Sequence, residues 1–141
     1  MSRFRTIGAA SLLAALLTGS VHAQNAPPIT GRDVVGDWIL NITPPPRRGS
    51  NATVAAEDRP DISLAVAARS GGALACVIED EPADCRIDDG ELVISWLIDG
   101  ARMTFTLVDR ASGGFVGRAR LSARLLPFGS VNLGSVDMTR R

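Results

Sequence analysis

Between Glu91 and Val108 apolar side chains recur at every second position on both sides of one Asp-Gly step. Leu92, Ile94 and Trp96 lead into Asp99-Gly100, and Met103, Phe105 and Leu107 lead out of it. A two-residue Asp-Gly connection is the strongest short-range hairpin signal, because both central residues of a type I′ turn need positive φ. With Ile98 and Ala101 flanking the turn, Trp96 faces Met103, Ile94 faces Phe105 and Leu92 faces Leu107 on one side of the ribbon. Leu97 with Arg102, Ser95 with Thr104 and Val93 with Thr106 occupy the other. A second such turn at Asp89-Gly90 sets Ile87 against Leu92 and Cys85 against Ile94.

The same alternation predicts strands along most of the chain. Asp33 to Ile42 is the first, with Trp38, Leu40 and Ile42 on one side, and Asp61 to Ala68 carries Ile62, Leu64 and Val66 on one face. Strands at Leu74 to Ile78 and Ala83 to Ile87 follow, joined through Glu79-Asp80-Glu81-Pro82. Phe115 to Leu125 points Phe115, Ala119, Leu121 and Ala123 inward and Arg118, Arg120 and Arg124 outward. Val131 to Arg141 is the last strand. Thr43 to Pro60, with three consecutive prolines, reads as a long loop with a turn of helix at 55–58, and a loop of that length is functional or mobile. About eight strands, turn signals every 8 to 12 residues and no amphipathic helix predict an all-β domain. The expected architecture is an antiparallel up-and-down barrel or a flattened sandwich, whose interior is filled by side chains or holds one small ligand.

The first 23 residues change the cellular setting. Arg3 and Arg5, the apolar run Ile7 to Leu17 and Val21-His22-Ala23 have the form of a secretory signal peptide, and the apolar run is too short to span a bilayer. Residues 24–32, with Pro27-Pro28 and no apolar period, read as a flexible arm, and residues 33–141 as a single barrel domain. Cleavage removes His22, the only histidine, from a chain that has no lysine and no tyrosine. Thirteen arginines then oppose fifteen acids, so no basic field points to nucleic acid and no span remains for a membrane. Cys76 and Cys85 in an exported chain predict a disulfide. Pairing Ile78 with Ala83 would set the two cysteines directly opposite each other on the apolar face. A redox-active pair would instead want Cys-x-x-Cys at the start of a helix. The expected compartment is the bacterial periplasm.

Gly36-Asp37-Trp38 at the opening of an exported β-meander, with Arg140-Arg141 at its close, resembles the calycin superfamily of lipocalins and their relatives. In that superfamily a Gly-x-Trp motif opens the first strand and an arginine near the last strand packs across the tryptophan. The likeness rests on Gly36, Trp38 and Arg140, and it implies a lipocalin-like barrel. The chain is also similar to periplasmic inhibitors of secreted metalloproteases, small disulfide-bearing calycin-like barrels, which implies a protein-directed inhibitor. Short, uncharacterised exported proteins of alphaproteobacteria built from hairpins are a third likeness, and no function follows from it.

Chemistry is scarce. Without histidine or lysine the mature chain has no base for a serine or cysteine nucleophile, and the usual imidazole and thiolate ligands for zinc or copper are missing too. The acids at Glu79, Asp80, Glu81, Asp84, Asp88, Asp89 and Glu91 lack calcium-loop spacing and sit at hairpin tips, where acids are ordinarily solvated. Gly71-Gly72 and Gly113-Gly114 are turn glycines, since no helix follows either to cradle a phosphate. No cofactor and no metal is expected. The expectation is a non-enzymatic binding module whose ligand, small and apolar, meets Trp38, Trp96, Met103, Phe105 and Phe115. A periplasmic protein partner held by the 24–32 arm or by the outward arginines is the alternative, as for an inhibitor or envelope-associated factor.

Overall fold

The computed structural model describes residues 27–46, 59–124 and 129–141. The expected signal peptide, residues 24–26 of the arm and the helical turn at 55–58 lie outside these residues, while the seventh strand, expected to run to Leu125, stops at Ser122 with 123 and 124 described beyond it. Eight antiparallel strands close into a barrel in chain order: β1 (Gly36–Thr43), β2 (Ile62–Ala68), β3 (Leu74–Ile78), β4 (Glu81–Asp88), β5 (Glu91–Ile98), β6 (Ala101–Ala111), β7 (Gly114–Ser122) and β8 (Ser130–Arg140). β8 returns to pair with β1, Trp38 opposite Arg140 and Leu40 opposite Met138, so no strand keeps an open edge along its whole length.

The Asp99-Gly100 hairpin has the expected register, with Trp96 opposite Met103, Ile94 opposite Phe105 and Leu92 opposite Leu107. Asp99 has φ 47° and Gly100 φ 81°, as a type I′ turn demands, and Asp89-Gly90 repeats the geometry at 49° and 77°. From Ile94 the inward row continues through Phe105 and Ala119 to Gly134, so a large ring sits beside a methyl group and then beside no side chain. That gradation lets one phenylalanine fill the barrel's width. Phe105, Leu92, Ile94, Leu107, Leu40, Ile78 and Met138 are all fully buried.

The third hairpin differs from expectation. Cys76 pairs with Ala83, Val77 with Pro82 and Ile78 with Glu81, so the turn is the two-residue Glu79-Asp80, both in positive φ, and the cysteines are diagonal neighbours. Turn strain on two non-glycine residues is offset by side-chain anchoring. The Glu79 carboxylate accepts the Ser63 N–H, and the Glu79 N–H donates to the Ser63 carbonyl at 3.1 Å. The shift is two residues, so every side chain keeps its face. β3 and β4 pair over only these three positions, and the Cys76–Cys85 disulfide ties the strands where their pairing ends. Closing so short a loop stabilises by about 2 to 3 kcal/mol on the chain-entropy estimate.

The chain before β1 also differs. Residues 27–32 do not hang free: Ile29 is 2% exposed, its N–H donates to the Gly90 carbonyl at 2.9 Å, and Pro28 sits against Gly90. Thr30 then caps a single helical turn, α1 (Gly31–Val34), which delays the first strand from Asp33 to Gly36. One carboxylate oxygen of Asp33 organises this turn. It accepts the Thr30 N–H at 2.8 Å, the Thr30 hydroxyl at 2.7 Å and the Arg110 guanidinium at 2.7 Å. The Thr30 hydroxyl, then the Thr30 N–H, then Arg110 lower the Asp33 pKa from 3.8 to about 2. A depressed folded pKa contributes stability above the unfolded value, and that stability is lost as pH falls from about 4 through about 2. Acid titration should therefore destabilise wild type more than Asp33→Asn across that window. Equal acid sensitivity of the two proteins, followed by thermal melts, would overturn this role for Asp33.

Candidate binding site

The meander sorts its connections onto two ends. Residues 27–35, the 69–73 connection, Asp89-Gly90 and Ser112-Gly113 lie at one end, which α1 plugs. The β1 end at Thr43, the β2 start at Ile62, Glu79-Asp80, Asp99-Gly100, the β7 end at Ser122 and the β8 start at Ser130 lie at the other, called the open end for the partial exposure of Trp96 and Met103 there. This polarity separates the five side chains expected to share a pocket.

Trp38 and Phe115 belong to the plugged end. Their ring centroids are 5.6 Å apart and the rings are tilted by 57°, and both residues are buried. The Trp38 indole N–H donates to the Val34 carbonyl at 2.7 Å, which satisfies its one polar atom inside the core. Arg140 lies over the indole, its guanidinium carbon 4.1 Å from the ring centroid, and donates to the Val35 carbonyl at 3.1 Å. Gly36 permits that approach: its φ is 136°, and a Cβ there would fall 2.1 Å from Arg140 Nη1. Arg110 covers Phe115 in the same manner at 5.6 Å while reaching Asp33 and the Pro28 carbonyl. Phe105 lies between the ends, with no surface exposed.

Trp96 and Met103 are cross-strand neighbours at the open end, three positions from the Asp99-Gly100 turn, and both are partly buried. Ile42, Ile62 and Leu133 pack against the core with them and complete an inward-facing apolar rim. The Trp96 indole N–H is held by the Glu81 carboxylate at 3.1 Å. Glu81 shares the inward parity of Ala83 and Cys85 but is exposed, so the rim presents one acid beside one aromatic face. The hydrogen bond to Glu81 fixes the orientation of the Trp96 ring at this end. Among the described residues no three His, Cys, Asp or Glu side chains come together as a metal site.

Sequence reasoning missed the plug and the Glu81 contact. Thr30-Gly31-Arg32-Asp33 has the Thr-x-x-acid spacing of a capping box, a signal that would have placed a helical turn inside the arm. Glu81 carried no comparable signal, because its position follows from the shifted turn. The outward arginines of β7 stand where the alternation places them: Arg118 and Arg120 are exposed, with Thr106 and Thr104 beside them on β6. No described helix is long and apolar enough to cross a membrane. No family model, no curated protein and no solved structure matches this chain.

Proposed function

We propose that the protein is an exported, non-enzymatic binding module of calycin-like design that takes a small apolar molecule at the open end of its barrel. The observation that carries this reading is the contrast between the ends. One is closed by Ile29 and Val34 over Trp38, while the other leaves inward-facing Trp96 and Met103 only partly covered. Inward apolar side chains at a barrel mouth, with a single polar group among them, are the ordinary make-up of a small-ligand site. What supports the calycin likeness is the stacking of Arg140 on Trp38 beside Gly36. Export to the periplasm is supported by the disulfide and by the leader's pattern.

Titration with the neutral dye N-phenyl-1-naphthylamine tests the site. Tryptophan emission should quench saturably as dye fluorescence rises. Trp96→Phe should remove most of the quenching, because Trp38 is shielded at the far end. Met103→Glu should abolish binding while the fold, followed by circular dichroism, is retained. A response that never saturates, or one that survives Met103→Glu, sinks the reading.

A further inference from the structure

The outer surface of the barrel divides by charge. From β3 to the β5–β6 turn, residues 74–99 carry eight acids and one arginine, whereas residues 101–124 carry five arginines and one acid. On the basic side, Arg118 and Arg120 project from β7 at alternate positions. Their neighbours across the pairing are Thr106 and Ser135 for the first, and Thr104 and Asn132 for the second. None of these can neutralise a guanidinium. Asp137, the nearest acid on β8, pairs with Val116, toward the plugged end. The ion pairs among the described residues are Arg86 with Asp88 and Arg110 with Asp33, so neither β7 arginine is in one.

Beside this row the surface is concave. Pro44, Pro45 and Pro46 leave the end of β1 and form one wall of a groove of about 450 Å³, with Arg118 and Arg120 along it and Asn132 and Ser135 lining it as well. The wall is positioned by a close contact. Gly134 has φ 121°, and a Cβ there would fall 1.9 Å from the Thr43 carbonyl oxygen, so only glycine lets the chain turn into the prolines at this point. Three consecutive prolines offer no N–H and little freedom, so the groove has a stiff apolar side facing a polar, cationic one.

We propose that this groove is a docking site for an extended acidic segment of a protein partner, with carboxylates at alternate residues. Alternate residues of a strand stand about 6.8 Å apart, and an extended peptide repeats at the same distance. A Glu-x-Glu segment laid along β7 therefore brings successive carboxylates to Arg118 and Arg120 in register. Guanidinium groups match carboxylates in a bidentate fork, which favours arginine over a point charge for such a contact. Thr104, Asn132 and Ser135 supply hydroxyl and amide partners for the backbone between the acids. β7 is already paired on both sides, so recognition runs through side chains and not through an added strand.

Two labelled hexapeptides of identical composition separate register from bulk charge: one alternating Glu and Thr, the other with its three Glu residues followed by its three Thr residues. Fluorescence anisotropy with the purified protein at low salt should show several-fold tighter binding of the alternating peptide. Arg118→Glu with Arg120→Glu should weaken that binding about tenfold or more, while Arg69→Glu, an exposed arginine at the plugged end, leaves it unchanged. Circular dichroism on each variant keeps loss of binding distinct from loss of fold. Equal affinity for the two peptides overturns the proposal, as does indifference to the double reversal. So does binding confined to vesicles containing phosphatidylglycerol, which would assign the arginines to a lipid surface.

Discussion

Phe105→Ala should destabilise the barrel by about 3 to 5 kcal/mol, the usual cost of removing a buried phenylalanine. Domains of this size have only about 5 to 15 kcal/mol to lose, so the variant should melt far below wild type. Position explains the size of the effect. Phe105 is fully buried, and its neighbours across the pairing are Ile94 on β5 and Ala119 on β7. On the far side of Ala119 stands Gly134, so the side chains that might move into the space are a methyl group and a hydrogen. Strands hydrogen-bonded on both sides cannot close the gap by moving inward. The cavity term should therefore add almost fully to the transfer term. Urea denaturation of Phe105→Ala and Phe105→Leu measures this, with leucine recovering part of the loss. A loss below about 1 kcal/mol for the alanine variant would mean that the row from Ile94 to Gly134 is not the packing unit of the core.

The face on which each side chain lies was legible in the sequence; its height along the barrel was not. Two Asp-Gly turns pin β4, β5 and β6 with no freedom, because type I′ geometry admits one pairing for each. At the β3–β4 turn, placing the cysteines face to face makes an equally plausible hairpin two residues out of the observed register. The real turn uses Glu79 and Asp80 in positive φ, a conformation that a side chain bond to Ser63 sustains and that local propensity disfavours. Because that offset is even, the core survives it. The two-residue period likewise put Trp38, Trp96, Met103, Phe105 and Phe115 inside, but strand stagger decides which of them meet. It sends Trp38 and Phe115 to the plugged end and Trp96 with Met103 to the open one. The plug itself was hidden for a different reason. One buried isoleucine followed by a single helical turn has no period to detect, and only the Thr30-x-x-Asp33 spacing hinted at it.

Ile29→Ala should cost about 2 to 4 kcal/mol and, unlike Phe105→Ala, should act first on one end of the molecule. Ile29 is 2% exposed and belongs to the same buried cluster as Val34 and Trp38. It is the only buried side chain in the described residues before α1, so nothing else of its size holds that segment down. Val34 is buried at the end of α1 and Pro28 sits against Gly90; the other ties are polar, the Ile29 N–H to Gly90 and Arg110 to the Pro28 carbonyl and Asp33. Arg110 and Asp33 are partly solvated, and exposed or half-exposed pairs contribute less than a buried branched side chain. With isoleucine gone, residues 27–34 should open ahead of global unfolding. The Trp38 indole, which donates to Val34 within that segment, would then reach water. Hydrogen exchange should show loss of protection at Ile29 and Asp33 well before β5 and β6, together with a red-shifted tryptophan emission in Trp96→Phe, where Trp38 is the sole fluorophore. Uniform loss of protection across the barrel would mean instead that the plug and the eight strands form one cooperative unit, and that the segment before β1 is as much a part of the core as Phe105.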